Sequence, residues 1–164
     1  MQLKHEYDAT IELGIPLTLV DTVIEYDDGS IEIPALDMLL ATVAVARVLV
    51  PIQFVGTEIR FLRHVLGYTG TAFAEAIGLS EKTVVSRWEN DKTRTGGYTE
   101  KVIRQLVLNL LGDRAPGIDI GKNAIPGMRI LAREASEGPL PMAFRLDKRA
   151  HPDGRLQDWY AEAA

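Results

Sequence analysis

The chain has 164 residues, a net charge of -5, 46% hydrophobic residues, 25% charged residues and no cysteine. That length suits one domain, or one small domain with extensions, and suffices for a hydrophobic core. The lack of cysteine excludes disulfides and cysteine-ligated zinc, and the start, MQLKHEYDATIEL, has no apolar signal core, so a cytoplasmic protein is expected.

Charge is unevenly spread. Residues 1–56 hold 2 Lys/Arg against 9 Asp/Glu, residues 57–112 hold 8 against 6, and residues 113–164 hold 8 of each. The acidity therefore belongs to the N-terminal third, and the middle block is mildly basic. Whole-chain charge is a poor test of nucleic-acid binding when the footprint is local.

In chain order, TLVDTVIEY and SIEIP carry Val, Ile, Thr and Tyr in partial alternation and read as strands. Between them, Asp27-Asp28-Gly29-Ser30 predicts a hairpin turn, since Gly accepts the positive φ that such turns need. Two adjacent carboxylates with no third ligand nearby are turn formers rather than a metal pair. Pro34 ends the strand. ALDMLLATVAVARVLV, residues 35–50, follows as a buried helix, too short and too charged to span a membrane.

From Thr57 to Gly112 the pattern is helical. Thr57 is the expected cap of EIRFLRHVL, which Gly67 stops. Thr69 or Thr71 caps a second helix with Phe73, Ala76 and Ile77 inward, stopped by Gly78. Ser80 is the expected cap of EKTVVSRWE, and Thr99 that of EKVIRQLVLNLL. Beyond Gly112, APGIDIGKNAIPG reads as a surface linker, MRILAREASE as a short helix, PLPMAFRLD as a strand or extended arm, and HPDGRLQDWYAEAA as a hairpin turn or short helix. The fold class expected is α+β. A mainly α helix-turn-helix domain of four or more helices, residues 56–112, is preceded by an acidic hairpin-plus-helix segment, 1–55, and followed by a C-terminal extension, 113–164.

The third helix of that domain carries the densest chemical signal. Val84, Val85 and Trp88 fall on one side. Thr83, Ser86, Arg87 and Asn90 share the opposite face at i, i+3, i+4, i+7, with Lys82 at its shoulder. A plain surface helix more usually offers Glu and Lys. Hydroxyls, an amide and a guanidinium are groups that read base edges: Arg bridges guanine O6 and N7, Asn pairs with adenine, and Thr uses its hydroxyl or touches a thymine methyl. Thr71, Lys92, Arg94 and Lys101 are the expected phosphate contacts around this face. Each of these residues taken singly also fits a solvated surface.

The run EIRFLRHVLGYTGTAFAEAIGLSEKTVVSRWENDK resembles the Xre/Cro-repressor class of helix-turn-helix, chiefly through LRxxLGxT, FAxxIGLS and SRWEN-K. With the strand-rich segment upstream, the chain looks more narrowly like the MqsA/YgiT-type antitoxin regulators. The first resemblance covers roughly a third of the chain and implies a sequence-specific repressor on a double-stranded DNA operator, with Thr83 and Arg87 as base readers and Arg63 and Glu89 as an internal ion pair. The second implies a toxin protein as a further partner. There are departures. The family often has a phosphate-touching Gln where this chain has Gly70 or Thr71. The segment from Gly78 to Glu89 is one residue longer than usual. The cysteine-bound zinc of the MqsA type has no ligands here, so no metal or cofactor is expected.

Val102, Ile103, Leu106, Val107, Leu110 and Leu111 make the fourth helix apolar over a wide face: part covers the domain's own core, and the rest calls for a homodimer placing two reading helices roughly 34 Å apart, or else for cover by the tail or the N-terminal segment. His5, His64 and His151 are scattered without metal-ligand spacing, and the chain has no Walker-type loop and no GxSxG, so no catalytic role is expected. The competing reading is a protein-interaction module that uses the helical domain without DNA.

Overall fold

The computed structural model describes residues 1–147 and 158–162. It has the α+β class expected, with helices between strands drawn from both ends of the chain. Strands β1 (Gln2–Leu3), β4 (Ile24–Glu25) and β5 (Ile31–Glu32) form a small antiparallel sheet in the order β1-β4-β5. Its β4–β5 turn is the Asp27–Ser30 hairpin, closed by a 2.9 Å bond from Tyr26 N to Ser30 O, with Gly29 at φ 86°. Asp28 Oδ1 accepts from Ser30 N at 2.9 Å, which gives that carboxylate its turn role.

A second sheet runs β2 (Glu6–Asp8), β3 (Leu17–Val20), β6 (Met142–Asp147) and β7 (Asp158–Ala161). Its β3–β6 pairing is parallel, with Leu17 opposite Met142 and Leu19 opposite Phe144. Segments 1–55 and 113–164 are thus joined in one sheet.

TLVDTVIEY is not one strand. Asp21 sits at φ 50°, and Thr22 Oγ1 donates to Val20 O at 2.7 Å. The kink sends β3 into the larger sheet and β4 into the smaller one. MRILAREASE is not a helix either. Leu131 instead pairs with Ile52 as an isolated bridge, and only Ala135–Glu137 coils, as a single 3-10 turn. PLPMAFRLD contains β6, and QDWYAEAA contains β7. The turn expected at HPDG lies outside the described residues.

Besides the short α1 (Thr10–Leu13), the helices are α2 (Leu36–Leu49), α3 (Gly56–Val65), α4 (Gly70–Ala76), α5 (Lys82–Glu89) and α6 (Gly97–Leu111). Helix α2 is central: it packs on α6, α3 and β7, burying Leu39, Val43, Ala44, Val45 and Val48. Trp159 of β7 is fully buried, and its Nε1 donates to Ala35 O at 3.1 Å. No helix among the described residues is long and apolar enough to cross a membrane.

Three expected caps move. Thr57 lies inside α3, which starts after Val55. Glu58 reaches back to accept from Val55 N at 3.0 Å, the reciprocal half of a capping box. Glu81, not Ser80, precedes α5, and Gly96, not Thr99, precedes α6, neither with a side-chain cap. Thr69 caps α4 by accepting from Ala72 N at 3.1 Å. Gly67 and Gly78 end their helices at φ 76° and 81°.

Candidate nucleic-acid interface

Helices α3, α4 and α5 form a tri-helical unit. Gly78 turns the chain between α4 and α5, and the two helices pack on each other. Val85 and Trp88 are buried, and Val84 is half-buried. Lys82, Thr83, Ser86 and Arg87 are exposed along the other flank. Lys82, Thr83 and Arg87 make no side-chain hydrogen bond or ion pair among the described residues. Asn90 is exposed as well; its Nδ2 folds back on Ser86 O at 2.8 Å, which leaves its Oδ1 as the open acceptor.

Two contacts fix the angle of α5. Arg63 Nε reaches Glu89 Oε1 at 2.7 Å, and Arg63 Nη1 also holds Tyr68 O at 3.1 Å, so one guanidinium spans the end of α5 and the α3–α4 corner. At the other end of α3, Gly56 lies against the last turn of α5. A Cβ there would stand 2.3 Å from Glu89 O and 2.6 Å from Trp88 O, a space only glycine fits.

The loop after α5 is built rather than slack. Asp91 sits at φ 56°, and its Oδ1 accepts from Gly56 N at 2.8 Å. Lys92 is exposed, as is Thr71 in the first turn of α4. The other two expected phosphate contacts are engaged by the protein. Arg94 Nη2 donates to Arg133 O at 2.6 Å and to Gln53 Oε1 at 3.3 Å. Lys101 Nζ donates to Pro126 O at 2.7 Å.

Sequence reasoning missed the network beneath this unit. Arg47 of α2 and Arg104 of α6 are fully buried, with their guanidinium carbons 4.8 Å and 4.3 Å from the Phe54 ring centroid. Arg47 pairs with Glu58 at 2.5 Å, and Arg104 with Glu100 at 2.8 Å. The remaining donors hold the chain between α2 and α3: Arg104 Nη1 binds Val48 O and Val50 O at 2.7 Å each, and both guanidinia bind Ile52 O. Glu100 also accepts from Phe54 N at 3.2 Å and from the Thr95 hydroxyl, while Glu58 takes Leu140 N at 3.1 Å. Burial pulls the Arg104 guanidinium below its ordinary range, and Glu100 works against that pull. Two cations and two carboxylates thereby anchor the helical unit to α2 and to the C-terminal extension. The signal available in the sequence was an Arg inside each of two strongly apolar helices. A buried charge must be paired, so each called for a carboxylate partner.

Set beside protein-family models, curated proteins and solved structures, the chain matches none of them.

Proposed function

We propose that this chain is a sequence-specific DNA-binding regulator of the helix-turn-helix type, a cytoplasmic repressor without catalytic activity. The observation that carries the reading is the free flank of α5. Lys82, Thr83, Ser86 and Arg87 stand exposed on a helix whose opposite side, Val85 and Trp88, is anchored in the core. A helix held rigidly from behind and furnished with unengaged donors in front suits major-groove readout. Arg87 is assigned to guanine, Lys82, Thr83 and Ser86 to adjacent base edges, and Lys92 and Thr71 to the phosphate backbone.

A homodimer on a two-fold operator belongs to the same proposal. What supports it is the outer side of α6, where Leu110 is 48% exposed and Tyr98 84% exposed. The acidic N-terminal block is repelled by DNA and faces away from it. In the antitoxin form of the reading, that block takes a basic toxin protein.

The test is gel retardation of the promoter upstream of its own gene, against a scrambled duplex, at rising salt. A specific complex that weakens roughly 100-fold or more between about 50 and 200 mM salt is expected. Retardation of neither duplex favours the protein-interaction reading instead, and equal retardation of both contradicts sequence-specific readout.

A further inference from the structure

We propose that the cavity between the C-terminal end of α6 and the 120–126 loop binds a small molecule bearing a primary ammonium group. The cavity measures about 430 Å³, within the range of small-ligand sites. It plays no part in the DNA reading. Half-buried Leu108 and Ile120 supply an apolar floor. Gln105, Asn109, Asp113 and Asn123 converge as the polar wall. Gln105 Nε2 donates to Asn109 Oδ1 at 2.9 Å, which leaves the Gln105 carbonyl oxygen as an acceptor. Asn123 is held in the left-handed region at φ 58°.

The sign of the charge selects the ligand class. Helix α6 runs for 15 residues with no basic side chain in its own last turn, and the 3-10 turn that continues it, Gly112–Arg114, brings Asp113 as well as Arg114 to the negative end of its dipole. Asp113 adds a carboxylate that makes no ion pair or hydrogen bond among the described residues. Arg114, the next residue, turns away to Asp37 O at 3.5 Å. Lys122 is exposed and is not part of the lining. The Asp113 carboxylate and the amide acceptors beside it, above a hydrocarbon floor, suit an ammonium on a short carbon frame at that end of the cavity, while Lys101, whose Nζ donates to Pro126 O at 2.7 Å, places a cation at the Pro126 side.

The test titrates the full chain, without DNA, with glucosamine and with 1,4-diaminobutane, using glucose as the neutral control. Amide chemical shifts report the site. The expected result is saturable shifts at Asn109, Asp113 and Asn123 with at least one amine and none with glucose. Asp113→Asn, a change at an exposed position, should weaken amine binding at least tenfold with an otherwise unchanged spectrum. If neither amine moves these resonances, if glucose moves them equally, or if Asp113→Asn binds as the parent does, the assignment is overturned. Because DNA is absent from the experiment, its failure leaves the regulator reading where it stood.

Discussion

Arg63 Nε stands 2.7 Å from Glu89 Oε1, so one ion pair ties the last turn of α3 to the last residue of α5. At 16% and 9% exposure the pair is too shielded to behave as a surface bridge. Arg63→Met should destabilise the fold by about 2–3 kcal/mol, somewhat less than breaking a fully buried pair. Urea unfolding should show a lower midpoint at an unchanged slope. A loss under about 0.5 kcal/mol, the worth of an ordinary exposed pair, contradicts the assignment.

Gly56 gives a steric version of the same test. A Cβ there meets backbone atoms, Glu89 O at 2.3 Å and Trp88 O at 2.6 Å, which yield only if α5 moves. Gly56→Ala should cost about 2 kcal/mol or more and lower the melting temperature by roughly 5 °C. Gly97→Ala is the control, because its Cβ meets nothing within 4 Å. It should leave the melting temperature unchanged or raise it.

The buried network predicts strong coupling between α6 and the segment before α3. Arg104→Met strands Glu100 and removes the donors to Val48 O, Val50 O and Ile52 O. A loss of about 3–5 kcal/mol is expected. Adding Glu100→Leu removes the unpaired carboxylate, so the double variant should be more stable than the sum of the two single losses implies. Strict additivity in that cycle rules out an energetic pair.

His5 Nδ1 lies 2.7 Å from Asp21 Oδ1, and Arg145 reaches the same carboxylate at 3.2 Å. The hydrogen bond to Asp21, with its negative charge, raises the His5 pKa above the ordinary 6.5. A raised folded-state pKa means that this contact contributes fully below the unfolded value and is lost as pH rises through the folded one. Proton NMR should place the His5 titration above 6.5, and Asp21→Asn should bring it back toward that value. A midpoint unmoved by Asp21→Asn removes the contact from solution.

Local signals were readable in the sequence and distant ones were not. Gly67 and Gly78 announce their helix ends because each occupies a left-handed position that glycine favours. The Asp28-Gly29 turn is legible for a related reason, a short-range bond from Ser30 N to the Asp28 side chain. The caps proved less legible. Val55 starts α3 with no polar side chain because Glu58 supplies the acceptor from within the helix. The pairing of Leu19 with Phe144 joins residues far apart in sequence, and no local pattern encodes it. Charge alone assigns Arg94 and Lys101 to phosphate and does not reveal that both also donate to carbonyls of the C-terminal extension. Arg104 stands as a single charge among the leucines of α6 with no local mark of its role, although it is one of the two cations that hold the chain between α2 and α3.

The central claim concerns Arg87, exposed on the free flank of α5. The most direct measurement compares Arg87→Ala with the parent on the promoter duplex and on a scrambled duplex, with circular dichroism to confirm equal helix content. The expected result is a loss of about 1–3 kcal/mol in binding to the promoter, with affinity for the scrambled duplex nearly unchanged. If Arg87→Ala holds the promoter as tightly as the parent does, α5 is not the reading helix.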